Sequence, residues 1–160
     1  MEGPRRCWIP ISPNPLIFAL ARDGSELLVS PGGMDLPISP LWSIPLPAGE
    51  PRQLGSVEAQ WADIFPDGRI VFSTGKELYV ADKDGSNPRK LFSSSGGAAG
   101  AWNPAVSPDV ERIAFATELD GSSALAEIAP DGTGFRIVCE APVVPGGVPT
   151  GNISVSDSPW

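Results

Sequence analysis

Residues 60–92 read QWADIFPDGRIVFSTGKELYVADKDGSNPRKLF, and the reading of this stretch decides the fold. In Arg69-Ile70-Val71-Phe72-Ser73 the side chains alternate with period two, so Ile70 and Phe72 leave one face of an extended chain and Val71 leaves the other. Glu77-Leu78-Tyr79-Val80-Ala81 is again largely apolar on both faces. A sheet that is apolar on both faces has to be covered on both, and stacked neighbouring sheets do this. Turn residues separate the runs. Pro66-Asp67-Gly68 suits a tight turn, with Pro setting its φ and Asp able to accept from a backbone N–H. Asp84-Gly85 sits between two runs as a hairpin needs, glycine supplying the positive φ that other residues resist. Four strands are predicted, at about 60–65, 69–74, 77–82 and 88–93.

Two further segments align with this one. Residues 101–138, AWNPAVSPDVERIAFATELDGSSALAEIAPDGTGFRIV, match it closely, and residues 16–54, LIFALARDGSELLVSPGGMDLPISPLWSIPLPAGEPRQL, match it more loosely. A turn-opening Asp recurs at Asp23, Asp67 and Asp109, spaced 44 and 42 apart. An apolar pair follows each as Leu27/Val29, Ile70/Phe72 and Ile113/Phe115. A second strand-like run comes next, at Leu41–Ile44, Leu78–Ala81 and Ala124–Ile128, then a glycine turn at Gly49, Gly85 and Gly132. Each copy closes on an apolar residue, Leu54, Leu91 or Val138. Four short strands repeating at a period of about 42 are the signature of a propeller blade. An antiparallel sandwich also has short strands at regular spacing, but gives no reason for anchors to recur in register. The expected fold is therefore all-β, a partial β-propeller of three four-stranded antiparallel blades plus the start of a fourth. The expected partition is an N-terminal extension at 1–15, blades at 16–55, 56–97 and 98–140, and a linker with the opening of a truncated fourth blade at 141–160.

Ser107-Pro108-Asp109, Pro66-Asp67-Gly68, Leu78-Tyr79-Val80 and Asp84-Gly85-Ser86-Asn87-Pro88-Arg89-Lys90-Leu91 resemble the TolB-type, WD-repeat-like β-propeller repeat. The resemblance covers roughly residues 16–140, strong in the second copy, fair in the third and weak in the first. It implies a bacterial protein, in the envelope or periplasm if the repeats follow a membrane anchor and otherwise in the cytoplasm. The arrangement is also similar to the propeller part of bacterial regulators that carry a winged-helix DNA-binding domain. Two departures stand out: Arg22-Asp23 lacks the preceding Ser-Pro, and Val110 replaces the glycine after Asp109, so looser turns are expected there. Three copies fall short of the ~4–8 blades of closed propellers. A fragment of a longer reading frame or a ring closed by association of copies is therefore expected.

Composition bounds the chemistry. Of 160 residues 41% are hydrophobic, enough for a core, while eighteen Gly and nineteen Pro scattered along the chain argue against long helices. The absence of His removes the Ser-His-Asp triad, the Cys-His pair and every His-ligated metal site. Eleven basic against nineteen acidic residues, net −8, is the wrong sign for gripping nucleic-acid phosphates or anionic lipid. Leu16–Leu20 is the longest apolar run, too short to span a bilayer, and MEGPRRCWIPISPNP is too interrupted by proline to read as a signal peptide. Cys7 and Cys139 are either one disulfide or two small apolar residues of the core.

Several patterns invite a chemical reading and give a structural one. Gly68 to Gly75-Lys76 has the wrong spacing for a phosphate loop and no following Ser or Thr. Ser94–Gly100 is a glycine-rich stretch with no helix behind it, so it reads as an inter-blade connection. Asp82-Lys83-Asp84-Gly85 lacks the later ligands of a calcium loop and reads as a hairpin turn. Asp67 and Asp109 could approach one another as an acid–base pair, yet their repetition is what a repeated turn produces. Trp61 and Trp102 recur at the entry to a first strand and read as packing residues, while Trp42, Phe72, Phe115 and Tyr79 could add to an aromatic platform. No Gly-x-Ser-x-Gly elbow is present, and Asn152-Ile153-Ser154 is a chance-level glycosylation pattern.

No catalytic, cofactor-binding or metal residues are expected, and no cofactor. The expected role is a non-catalytic interaction or sensing module that meets a protein partner through its loops, without direct nucleic-acid binding or a membrane span. Its open blade faces would also be available for self-association. The alternative is the gating propeller of a prolyl-oligopeptidase-type serine hydrolase whose catalytic domain lies elsewhere.

Overall fold

The structure, a computed structural model, describes residues 15–32, 38–94, 100–119 and 121–140. Cys7, residues 95–99 of the glycine-rich connection, the expected fourth-blade opening at 141–160 and Asn152 lie outside these residues. Twelve strands form three four-stranded antiparallel sheets. The first holds β1 (Leu16–Leu20), β2 (Glu26–Ser30), β3 (Ser39–Pro45) and β4 (Arg52–Ala59). The second holds β5 (Trp61–Ile64), β6 (Ile70–Ser73), β7 (Glu77–Ala81) and β8 (Arg89–Ser93). The third holds β9 (Trp102–Val106), β10 (Ile113–Leu119), β11 (Ser122–Ile128) and β12 (Arg136–Glu140). In each sheet the strands lie side by side in chain order, the up-and-down meander of a propeller blade. The second blade falls within a residue or two of the four strands expected from the sequence. No helix occurs among the described residues, so none there is long and apolar enough to cross a membrane.

Register turns the sequence repeat into a repeat in space. Leu27 pairs with Ile44, Ile70 with Ala81 and Ile113 with Ile128; one step on, Leu28 pairs with Ser43, Val71 with Val80 and Ala114 with Glu127. Because side chains alternate, the first set shares one face of its blade and the second set the other. We call the face toward the preceding blade the front and the face toward the following blade the back.

The two cores lie between blades. One unites Leu28, Leu41 and Leu54 from the back of the first blade with Ile64, Ile70, Phe72 and Ala81 from the front of the second. The other unites Val71, Leu78, Val80 and Leu91 from the back of the second with Val106, Ile113, Phe115, Ala126 and Ile128 from the front of the third. The middle blade is thus covered on both sides. Ile70 and Phe72 go to one core and Val71 to the other, as the period-two pattern requires.

The outer hairpin turns lock each blade to its predecessor. Gly85 (φ 82°) stands so near the Leu54 backbone that a Cβ there would lie 2.4 Å from its carbonyl oxygen, and Gly132 (φ 90°) takes the same place against Leu91, with more room at 3.6 Å. Leu54 and Leu91 therefore do more than end a repeat. Their side chains fill the core, and their backbones receive the glycine turn of the next blade.

Candidate functional site

All β1–β2-type and β3–β4-type turns emerge at one end of the array. The three inner turns share one hydrogen-bond scheme. Gly24 N donates to Ala21 O, Gly68 N to Phe65 O and Val110 N to Ser107 O, at 2.8, 2.9 and 3.0 Å. Asp23, Asp67 and Asp109 each accept at Oδ1 from the backbone N–H two residues on, from Ser25, Arg69 and Glu111, at 2.9, 3.0 and 3.1 Å. This is the Asx turn that Asp favours. The outer turns of the second and third blades repeat it, Ser86 N bonding Asp84 and Thr133 N bonding Asp131, at 2.9 and 2.8 Å.

The two turns expected to be looser are not. The first closes normally without a preceding Ser-Pro. In the third, Val110 takes the glycine's place by adopting φ 65°, a left-handed conformation that a β-branched residue rarely enters. Side-chain bonds over-determine that turn: Ser107 Oγ donates to Asp109 Oδ1 at 2.5 Å and accepts from Arg112 N at 3.0 Å. Val110 also packs against the second core.

Inter-blade ties converge at the same end. Arg22, in the first blade's inner turn, reaches past the second blade and donates to Pro108 O at 2.9 Å and Val106 O at 3.2 Å. Asp63 on β5 accepts from Val106 N at 2.7 Å. On the outer side Arg89 donates to both Pro130 O and Asp131 O, each at 2.7 Å. Between the first two blades a cleft of about 150 Å³ opens, lined by Arg22, Asp23, Glu26, Phe65, Asp67 and Lys83 among others. Its charges are mostly committed. Glu26, buried, accepts from Ser43 Oγ at 2.6 Å and Arg52 at 2.9 Å. Asp67 takes Arg69 Nε at 2.8 Å, and the Arg69 guanidinium lies 4.7 Å from the Phe65 ring centre. The Ser25 hydroxyl and N–H hold the Asp23 carboxyl below its ordinary range. At Asp67 partial desolvation pushes upward, and the Arg69 bonds outweigh it, so the net shift is again downward. Lys83 packs its stem over Gly68 and makes no hydrogen bond or ion pair among the described residues.

The other sequence candidates fall into place. Asp67 and Asp109 lie at equivalent turns of adjacent blades, each with its carboxylate spent on its own turn. Asp82 accepts from Asn87 Nδ2 at 2.7 Å, so Asp82–Gly85 is a bonded hairpin turn. Gly75 bridges to Ala101 of the next blade, and Ser73 Oγ donates to Ala101 O. Among the described residues no three His, Cys, Asp or Glu side chains converge as metal ligands would. Trp61 meets Phe18 across the first interface with ring centres 6.2 Å apart; its Nε1–H is buried without a partner among the described residues. Cys139 is exposed on the edge strand β12 rather than in a core. Sequence reading missed Arg22 and Arg89; Arg-x-Leu spacing marks the second, and nothing local marks the first.

No family model matches the sequence, and no curated protein matches it. Solved structures do. A chain of a nidogen/laminin complex aligns at 18% identity and TM-score 0.60, over 80% of this chain and 49% of that one. An oligogalacturonate lyase in complex with manganese aligns at 15% identity and TM-score 0.58, over 78% and 41%. TolB from Acinetobacter baumannii aligns at 14% identity and TM-score 0.54, over 71% and 29%. The fold is that of a β-propeller, three blades of it. At these identities the likeness is one of fold, and the chain spans half or less of each of these proteins.

Proposed function

We propose that the chain is a non-catalytic segment of a TolB-like propeller and that its turn end is a protein-interaction surface. The carrying observation is the condition of that end. Its inner turns are pinned by Asx bonds and by Arg22, its carboxylates are occupied in holding those turns, and Lys83 remains available beside exposed Pro66 and Asp67. Rigid loops bind at low entropic cost because little has to be ordered on association. Carboxylates held low by hydrogen bonds stay ionised near neutral pH, which suits charge complementarity to a partner and not proton transfer. The test is photo-crosslinking in native-cell extract from a label at Pro66, compared with a label at Lys76 at the opposite end. A discrete adduct from Pro66 that Lys83→Glu abolishes supports the reading. Equal labelling from both ends, or none from Pro66, overturns it. Hydrolysis of a peptide substrate by the chain would overturn the non-catalytic part separately.

A further inference from the structure

The repeat register allows each outer face to be compared, position by position, with faces that are closed inside the molecule. On the back of the blades Leu41, Leu78 and Leu125 are equivalent, fixed by the pairings Leu78 with Ser73 and Leu125 with Ala116. Leu41 and Leu78 are 0% exposed; Leu125 is 55% exposed. At the bulged position of the fourth strand Leu54 and Leu91 are 1% and 9% exposed, and Val138 is 57% exposed. The front shows the converse. Ile64 and Val106 are 4% and 9% exposed, whereas their equivalent Leu20 is 55% exposed. Leu27 and Ile44 are only half-buried where Ile70, Ile113, Ala81 and Ile128 are sealed.

One polar grip also has an unused counterpart, although Arg52 at the same register of the first blade turns to Glu26 instead. Arg89, paired with Val80, holds two carbonyls of the next blade's outer turn. Arg136, paired with Glu127, has the same register and is 63% exposed. It turns back to Glu127 at 2.6 Å, alongside Arg112 at 2.7 Å.

We infer that the back of the third blade and the front of the first are a matched head-to-tail pair, and that two copies of this chain close on one another as a six-bladed ring. The occupant of each open face is the other copy's opposite face. Leu125 and Val138 would sit where Leu78 and Leu91 sit against a front face, and Leu20, Leu27 and Ile44 where Ile64, Ile70 and Ala81 sit against a back face. The small Ala114 and Ala116 leave room for Trp42, the bulkiest residue on the first blade's front, and Arg136 would reach for the carbonyls of the partner's 46–51 turn. The inference rests on the blade faces and is independent of the turn-end reading. A heterologous contact of this kind closes only if the rotation completes a circle; otherwise it grows into open chains.

The experiment is sedimentation of the 160-residue chain over a hundredfold concentration range, with Leu125→Lys and Leu20→Glu made separately. The wild type is expected at twice the 16.7 kDa chain mass. Each variant is expected at single mass, and their equimolar mixture should regain the dimer, because one of the two face pairs in the mixed species is unaltered. Val138→Lys repeats the back-face arm should circular dichroism show Leu125→Lys unfolded. A wild-type monomer at all concentrations assigns the faces to blades elsewhere in a longer polypeptide and overturns the inference. So do species that grow without limit, or a mixture that stays monomeric.

Discussion

Alanine at Gly85 should cost this protein far more than alanine at Gly24, although both glycines occupy hairpin turns with positive φ, 82° and 71°. The shared part is conformational: placing a Cβ in the left-handed region costs about 1–2 kcal/mol. At Gly24 that is all, because a Cβ there meets nothing within 4 Å. At Gly85 the new atom would lie 2.4 Å from Leu54 O, 2.7 Å from Leu54 C and 3.0 Å from Val57 Cγ2. The obstacles at Leu54 are backbone atoms of a paired strand, which cannot swing aside as a side-chain tip would. The turn has to back away by nearly an ångström, prising it off the first blade, and overpacking of that kind adds about 1–3 kcal/mol. The sum is about 2–5 kcal/mol for Gly85→Ala against about 1–2 for Gly24→Ala. With about 2–4 °C per kcal/mol expected for a chain of this size, thermal unfolding followed by circular dichroism resolves the difference. Gly132→Ala, with its nearest atom at 3.6 Å, should behave like Gly24→Ala. If Gly85→Ala proves no costlier than Gly24→Ala, the turn does not bear on Leu54 and the account of the blade interface is wrong.

Two further outcomes are expected. Carboxyls held below their ordinary values of 3.8 and 4.5, at Asp23 and Asp84 by Ser25 and Ser86, at Asp109 and Asp131 by Ser107 and Thr133, and at Glu77 and Glu127 by Lys90 and Arg136, contribute stability present above that range and lost as pH falls through the lowered values. Tyr79 and Lys90 are raised by their bonds to Glu77, so their contribution is present below 10.0 and 10.5 and lost as pH rises beyond. Urea midpoints across pH should fall on both sides, and Glu77→Gln should flatten the alkaline side and remove Glu77's own share of the acid side; an unaltered alkaline limb would refute the assignment. Separately, Val110→Gly should change stability by no more than about 1 kcal/mol despite removing a half-buried side chain, since relief at φ 65° offsets the lost contact. A loss above about 2 kcal/mol in urea unfolding would show that packing dominates there.

The architecture was legible because two periodicities agree. Alternation within Ile70–Phe72 assigned the faces, and the 44- and 42-residue steps between Asp23, Asp67 and Asp109 assigned the blades. What the residues could not disclose is what each anchor touches. Gly85 reads as a hairpin glycine, yet its tightest constraint comes from a carbonyl some thirty positions earlier. Val110 reads as a defect in a motif, and only the bonds of Ser107 and Asp109 show that the turn forms regardless. Cys139 was open between pairing and burial; it is exposed on an edge strand and so not in a core, while Cys7 lies outside the described residues. At the candidate site the Asp residues were read as turn formers and are placed so, whereas Arg22 escaped notice because its acceptors are 84 and 86 residues away and share no local pattern with it.

Arg22 draws a chord across an arc. By joining the first blade directly to carbonyls of the third, it sets the span between two units that do not adjoin, and with it the curvature through which the array bends. Curvature decides how many units a full circle accommodates, so a single guanidinium constrains the circumference of whatever ring these blades complete. Lengthening or trimming the middle blade would strain that chord before it disturbed either core.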